Sequence, residues 1–198
     1  MSFIRLEKVE KNFGKTKVLR GISFHIQDRE LVAIRGASGS GKSTLLYLLG
    51  GLDTPTSGTV IIDNQNLSAK SDEELAQFRN ASVGFVFQFH FLLPSMTCRD
   101  NILLPGRIGG RDLAETEKNT KKLADILGVT HCLEKYPFEI SGGEQQRINI
   151  IRALSLRPKI LLCDEPTGKS GLEKHRKGCF TSEKSRPRIW GHFARRHT

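Results

Sequence analysis

The sequence predicts an α/β fold in which helices pack against a mostly parallel sheet. Short apolar runs of strand length, at residues 30–35, 83–88 and 159–163, alternate with longer stretches of helical periodicity. One of these runs leads into a glycine-rich loop that continues as a helix, over residues 36–49. Because parallel strands need a crossover connection, strands separated by helices predict a parallel sheet.

The composition suits one cytoplasmic α/β core. The chain has 198 residues, 37% of them hydrophobic, and no apolar run approaches the roughly 18 residues needed to span a bilayer. Residues 1–7 lack the charged and apolar regions of a signal peptide. The four cysteines are scattered without C-x-x-C spacing, which predicts reduced thiols that pack in the core without a metal cluster.

An antiparallel layer is predicted ahead of the glycine-rich loop. Residues 3–9 and 21–26 alternate between apolar and polar side chains, as strands with one buried face do. Residues 59–62 predict another strand. Residues 71–80 begin with a serine followed by acidic residues, which predicts a short capped helix.

The second half predicts a helical subdomain over about residues 89–157. Residues 98–127 have helical periodicity with an interruption at 105–110, and residues 144–156 predict a further helix. Pro158 ends that helix because proline lacks the backbone donor that a helix needs.

Residues 36–44 have the form G-x-x-x-x-G-K-[ST] of a phosphate-binding loop. Glycines let backbone N–H groups turn toward phosphate oxygens, and the helix N-terminus adds positive charge. Lys42 is predicted to reach the outer phosphates, and the Ser43 hydroxyl to hold Mg²⁺. A Gly/Ser-rich surface turn is the alternative, but the flanking strand and helix favour the phosphate loop. The predicted binding residues are Gly36, Ala37, Ser38, Gly39, Ser40, Gly41, Lys42, Ser43 and Thr44.

Two carboxylates follow the apolar strand at residues 159–163. Asp164 is predicted to hold Mg²⁺, and Glu165 to orient or deprotonate an attacking water. Such a pair at a strand end is often only a solvated turn. Together with Lys42 in the same chain, it indicates a nucleotide hydrolase.

The segment Ile-Ser-Gly-Gly-Glu-Gln-Gln-Arg at residues 140–147 resembles the signature of ATP-binding-cassette (ABC) ATPases. The phosphate loop, Gln88, the Ser-Gly-Gly turn and the Asp164-Glu165 pair follow one another in the order of that family over residues 1–168. The resemblance implies a P-loop NTPase fold of the ABC ATPase type, with a mostly parallel core sheet, an N-terminal antiparallel layer and a helical subdomain. It also implies ATP and Mg²⁺ as ligands.

The resemblance assigns further roles residue by residue. Phe13 lies where the family has an aromatic that stacks on adenine, although a core phenylalanine is the alternative. Gln88 matches the glutamine that contacts Mg²⁺ and water and senses the transporter partner. Ser141, Gly142 and Gly143 match the turn that binds the terminal phosphate of ATP held by a second ATPase subunit, because the family works as a head-to-tail pair.

Residues 48–58 and 87–94 look like those of the ATPase subunit of bacterial lipoprotein-releasing transporters. The same subfamily includes macrolide and antimicrobial-peptide exporters and a cell-division ATPase, which remain alternatives. The resemblance implies integral membrane subunits as partners and a position on the inner face of the bacterial cell membrane. The apolar residues 89–94 suit docking of a membrane partner's cytoplasmic helix, with core packing as the alternative.

After Gly168 the resemblance stops. The family continues with Asn-Leu-Asp, an apolar helix and a buried strand that ends in a histidine, whereas this chain continues with Lys-Ser-Gly-Leu-Glu. We therefore expect the C-terminal strands to be missing and residues 169–198 to be a disordered tail. Degenerate codons permit one inserted adenine to convert the family's Gly-Asn-Leu-Asp into the Gly-Lys-Ser-Gly of residues 168–171. We hypothesise that the tail is a frameshift product.

The formal charge of +10 belongs mainly to this tail. Residues 1–168 hold 22 basic and 19 acidic side chains, whereas residues 169–198 hold 9 and 2. A nearly balanced folded part predicts no nucleic-acid partner, because phosphate contacts need basic residues on a folded face. A nucleic-acid- or ribosome-associated ATPase is one alternative function, and an inactive nucleotide-binding remnant is another.

Overall fold

A computed structural model describes residues 2–87 and 91–164, and the backbone of residues 188–191. Its described residues form two four-stranded sheets and five α-helices. The strands are β1 (Ile4–Phe13), β2 (Thr16–Ile26), β3 (Val32–Ala33), β4 (Ser57–Ile62), β5 (Gln65–Asn66), β6 (Val83–Val86), β7 (Ile160–Cys163) and β8 (Arg188–Gly191). The helices are α1 (Lys42–Leu49), α2 (Asp72–Ser82), α3 (Cys98–Ile108), α4 (Leu113–Ile126) and α5 (Gly142–Leu154).

The first sheet is antiparallel in the order β2-β1-β4-β5, which confirms the predicted N-terminal layer. Ile4 and Leu6 of β1 are buried and alternate with exposed polar residues, whereas Val9 is buried after a register shift between Leu6 and Val9, where Lys8 has a φ of 47°. The hairpin extends beyond the predicted strands because Phe13 pairs with Thr16 across a turn in which Gly14 has a φ of 57°.

The second sheet is parallel in the order β3-β8-β7-β6, which confirms the predicted core sheet. β6 and β7 pair in register from Val83 opposite Ile160 to Val86 opposite Cys163. All four residues of β7 are buried, as expected for a strand covered on both faces. The leucines of α1 join Ile160 and Leu162 in one hydrophobic core with the antiparallel sheet.

One sequence-based expectation is wrong at the centre of this sheet. The C-terminal strands were expected to be missing, yet the backbone of Arg188–Gly191 lies between β3 and β7 as β8. Without β8, both neighbours would present unpaired backbone donors and acceptors there, and a short extended segment can satisfy them whatever its side-chain pattern. The rest of the predicted disordered tail, residues 169–187 and 192–198, lies outside the described residues.

The helices α3, α4 and α5 pack around a second hydrophobic cluster, with Ile102, Ala124 and Ile148 fully buried in it. α3 passes through Pro105 and ends at Ile108, so the predicted interruption begins later than expected. Within the described part of the chain, no helix has the length and apolar character needed to cross a membrane.

Candidate nucleotide-binding site

The topology brings three predicted site segments to the carboxyl-terminal end of the parallel sheet. The carboxyl ends of β3, β7 and β6 lead respectively into the phosphate loop, Asp164 and the segment containing Gln88. Ala33 and Cys163 are both in register with Gly191 of β8, so the two strand ends are level and lie about 10 Å apart. The Asp164 N–H donates to the carbonyl of Val86 at 2.9 Å, which holds the end of β7 against β6.

The phosphate loop depends on glycine at two positions. Gly39 and Gly41 have φ values of 75° and 89°, a left-handed conformation that other residues adopt with strain. At Gly41 a Cβ atom would also lie 2.9 Å from Leu19 Cδ2 and 3.0 Å from Val18 Cγ1. The loop therefore packs closely against β2, while residues 36–40 stay exposed to solvent.

The Lys42 ammonium lies inside the loop. Its Nζ donates to the carbonyls of Ala37 at 2.5 Å and Gly36 at 3.0 Å, and to Ser40 Oγ at 3.4 Å. Helix α1 begins at Lys42 without a side-chain cap or an acidic residue in its first turn. Its first N–H groups and the lysine charge therefore form a site suited to an anion.

Ser43 and Asp164 offer oxygen atoms suited to Mg²⁺. Ser43 lies in the first turn of α1 and Asp164 directly after β7, and both residues are half-buried. A hydroxyl and a carboxylate are hard donors, which Mg²⁺ prefers over nitrogen or sulfur. The donor set thus fits the predicted metal. Two other predicted site residues, Glu165 and Gln88, lie outside the described residues.

Helix α5 holds both sides of the segment that contains Gln88. Asn149 Nδ2 donates to the carbonyl of Phe87 at 3.3 Å, and Arg152 Nη1 donates to the carbonyl of Phe91 at 2.8 Å. Arg152 also donates to Asn149 Oδ1 at 3.0 Å, and burial lowers the pKa of its guanidinium. Sequence reasoning missed both residues. Polar side chains beside Ile148 and Ile151 on an apolar helix face are the signal that could have found them.

The Ser-Gly-Gly turn faces outward at the N-terminus of α5. Ser141 caps the helix, because its Oγ accepts from the Glu144 N–H at 3.4 Å. In return, Glu144 Oε2 accepts from the Ser141 N–H at 2.8 Å and from Ser141 Oγ at 2.6 Å. These bonds and one from His131 lower the pKa of Glu144 to about 2. Ser141, Gly142 and Gly143 are exposed, and a Cβ on Gly142 would meet no described atom within 4 Å. A second molecule can therefore approach this turn.

Phe13 is not a core residue, because 54% of its surface is exposed at the tip of the first hairpin. The Lys11 Nζ lies 5.0 Å from the centroid of its ring. The same ammonium forms an ion pair with Asp53 Oδ1 at 2.6 Å and donates to the carbonyl of Thr54 at 2.8 Å. Lys11 thus links the aromatic ring to the loop that follows α1.

Docking of a membrane partner and core packing are the two interpretations of residues 89–94, and different residues of the segment fit each of them. Phe91 and Leu93 are 63% and 41% exposed, whereas Leu92 packs against the second hydrophobic cluster. The loop is held by the fully buried Asn101, whose Oδ1 accepts from the Leu93 N–H at 2.6 Å. Residues 89 and 90 lie outside the described residues.

The family model described as ABC transporter matches residues 19–168. The lipoprotein-releasing system ATP-binding protein LolD of Cytophaga hutchinsonii is 49% identical over 165 residues, which cover 83% of this chain and 74% of that protein. LolD of Shewanella frigidimarina is 44% identical over 171 residues, which cover 84% and 72% respectively.

Solved structures give the same result. The dimeric structure of MJ0796, a bacterial ABC transporter cassette, superposes with a TM-score of 0.85 at 33% identity and covers 96% of this chain and 87% of its own. A dimeric post-hydrolysis state of the MJ0796 ATP-binding cassette bound to ADP and Pi has a TM-score of 0.74 at 36% identity, covering 83% and 74%. The family match, the sequence identities and the shared fold together show that this chain belongs to the ABC transporter family.

Proposed function

We propose that this chain is the ATP-binding and ATP-hydrolysing subunit of a bacterial ABC transporter of the lipoprotein-releasing type. One observation carries the proposal: a phosphate loop closed around Lys42 and an outward-facing Ser-Gly-Gly turn occur at separate places on the same chain. Each copy then offers one half of a nucleotide site to another copy. The identities with LolD proteins support the lipoprotein-releasing type over the macrolide-export and cell-division alternatives.

In this proposal the phosphates of ATP replace the loop carbonyls as partners of the Lys42 ammonium and accept bonds from the N–H groups of residues 36–44. Ser43, Asp164 and Gln88 would hold Mg²⁺, which would neutralise phosphate charge. Glu165 orients or deprotonates the attacking water. Phe13 stacks on adenine, consistent with its exposed ring.

A second ATPase subunit supplies the other face of the site. Ser141, Gly142 and Gly143 combine a hydroxyl, flexible backbone and a helix N-terminus, which together attract the terminal phosphate of ATP bound to the partner copy. ATP then stabilises the dimer, and its hydrolysis releases the two copies. The dimeric form of the MJ0796 cassette supports this arrangement.

Integral membrane subunits are the proposed second class of partner, at the inner face of the bacterial cell membrane. Phe91 and Leu93 are exposed apolar side chains beside the segment that contains Gln88. A cytoplasmic helix of a membrane subunit docked on them would contact the same loop that α5 holds through Asn149 and Arg152. Docking there can therefore reach the nucleotide site.

The dimer proposal is tested with three variants. Glu165→Gln is expected to bind ATP and to elute as a dimer in size-exclusion chromatography, because hydrolysis no longer separates the copies. Adding Gly142→Asp is expected to abolish the dimer but not ATP binding, since the new carboxylate repels the partner's phosphate while fitting the open space around Gly142. Adding Ala114→Asp instead, at an exposed position in the first turn of α4, serves as the charge-matched control and should leave the dimer intact.

Two outcomes would contradict the proposal. One is an ATP-dependent dimer that survives Gly142→Asp, which would place the contact elsewhere. The other is undiminished ATP binding after Lys42→Ala, which would exclude the phosphate loop as the nucleotide site.

An inactive nucleotide-binding remnant is the second candidate. The family match ends at residue 168, where the sequence departs from the pattern expected of an ABC ATPase. The same observation supports the hypothesis that residues 169–198 arose by a frameshift. A phosphate-release assay beside an ATP-binding assay distinguishes the remnant from an active enzyme. Resequencing the coding DNA, with the mass of the purified native protein, tests the frameshift.

A further inference from the structure

A cluster of three different metal-ligating side chains lies behind the Ser-Gly-Gly turn. We propose that His131, Cys132 and Glu144, hereafter the His-Cys-Glu cluster, bind a Zn²⁺-like divalent cation. A 3₁₀ turn at Thr130–Cys132 carries the first two, and the first turn of α5 carries Glu144. One ligand atom from each residue lies within 4.8 Å of the others, and His131 Nε2 is 2.9 Å from Glu144 Oε1. This binding goes beyond the proposed ATPase function.

The chemistry of the donors selects the cation. Imidazole nitrogen, thiolate sulfur and carboxylate oxygen are the ligand types that Zn²⁺ takes in proteins, with bond lengths near 2.0 to 2.3 Å. Tetrahedral coordination at those lengths puts ligand atoms roughly 3.3 to 3.5 Å apart. In the His-Cys-Glu cluster the ligand atoms lie within 4.8 Å of one another, so binding would draw the most distant pair together by up to about 1.5 Å. Mg²⁺ is disfavoured because it prefers oxygen donors throughout.

Surrounding contacts hold the ligands in place. Both bonds from Ser141 go to Glu144 Oε2, so the other oxygen, Oε1, is directed toward His131. Cys132 is fully buried, its N–H donates to the carbonyl of Val129 at 2.9 Å, and its own carbonyl accepts from Lys135 N–H at 3.0 Å. Such outer contacts reduce the reorganisation that metal binding would otherwise require.

The cluster is also open on one side. The His131 side chain is 58% exposed, whereas that of Glu144 is 21% exposed. A cation can enter past the imidazole and keep a water as its fourth ligand, as in three-ligand zinc sites. His131 hydrogen bonds to Glu144 without the metal. On binding, the thiol releases its proton to solvent and the sulfur becomes a metal ligand.

The test is a titration of the full chain with Co²⁺ in the absence of nucleotide. One equivalent is expected to produce a thiolate-to-cobalt charge-transfer band and the visible bands of tetrahedral Co²⁺. Zn²⁺ should abolish both and Mg²⁺ should not. Because no nucleotide is present, this result does not depend on whether the chain hydrolyses ATP.

Three variants assign the site. Cys132→Ala should lose the charge-transfer band, while Cys163→Ala, which removes another buried free thiol, should keep it. His131→Gln changes an exposed side chain and should weaken the apparent Co²⁺ affinity about tenfold or more. A band that persists in Cys132→Ala, or an unchanged affinity in His131→Gln, would overturn the proposal. If Cys132→Ala does not fold, the apparent Co²⁺ affinity of the surface variant His131→Gln still tests the proposal.

Discussion

At the scale of single residues, neighbouring positions in the phosphate loop have different physical roles. Gly41 is required by geometry, since its φ of 89° and its contact with β2 both exclude a side chain. Under the proposed function Lys42 is needed for its charge, and its ammonium already has three oxygen partners from Gly36, Ala37 and Ser40. Under the proposed function, nucleotide binding would exchange these hydrogen bonds for bonds to the phosphates, and the gain would come from the negative charge of the phosphates.

Glu74 makes a pH-dependent contribution to stability. Its carboxylate accepts from the Ser71 N–H at 2.8 Å in the capping box of α2, and this bond lowers the pKa of Glu74 from its ordinary value. A lowered folded pKa means that the contribution is complete above the unfolded pKa and is lost as pH falls through the folded value. The loss of unfolding free energy caused by Glu74→Gln should therefore be larger at pH 7 than at pH 3, as measured by urea denaturation.

The matched control for this prediction is Glu73→Gln, in the same helical turn but without a bond to the cap. Its effect should change less with pH. An effect of Glu74→Gln that is equal at both pH values would show that the charge of the carboxylate is not what stabilises the cap.

At the scale of elements, helix starts could be predicted from local sequence signals, whereas contacts between residues distant in the sequence could not. Ser71 and Ser141 mark helix starts because a cap bonds within three residues of itself, and α2 and α5 begin directly after them. The strand predicted over residues 30–35 is only Val32–Ala33, because its length depends on the partner β8. Asn149 and Arg152 were missed because their partners, Phe87 and Phe91, are about sixty residues away.

Asn101 of α3 is expected to determine the stability of the loop that carries Leu93. Its side chain is fully buried, accepts from the Leu93 N–H, and donates to the carbonyls of Leu93, Met96 and Thr97 at 3.0 to 3.1 Å. Asn101→Leu leaves these backbone groups without that partner and should lower the unfolding free energy by about 3 kcal/mol in urea denaturation.

Asn119→Leu is the matched control at a half-buried position, where the amide donates to the carbonyl of Ser155 at 3.4 Å and accepts a solvent-exposed bond from Arg157 Nη2 at 2.6 Å. Asn119→Leu should lower the unfolding free energy by less than about 1 kcal/mol. Equal losses in the two variants would mean that Asn101 does not anchor the loop.

At the scale of the whole molecule, the centre of the parallel sheet depends on residues that lie beyond the family match. The match ends at residue 168, yet β8 pairs with both β3 and β7. The sequence predicted no strand at residues 188–191, although the structure has one there. Backbone pairing requires an extended segment, whereas the sequence patterns used for prediction are those of side chains.

A truncation series tests the contribution of β8. A chain ending at Pro187 lacks the strand, and a chain ending at Gly191 keeps it. The shorter chain should be less stable by about 3 kcal/mol or more, because two strand edges lose their backbone partners. This corresponds to a fall of roughly 6 to 12 °C in the midpoint of thermal unfolding by circular dichroism. Equal midpoints would show that residues 188–191 add no stability.

The contacts of Lys11 have a consequence for base stacking. Through one ammonium, the hairpin tip that carries Phe13 is tied to Asp53, in the loop that continues from the phosphate-loop helix. Under the proposed function, this tie restrains the ring that stacks on the base relative to the helix that begins at Lys42. Loss of the largely buried Lys11 ammonium would therefore release the base-stacking ring while leaving the residues of the phosphate loop unchanged.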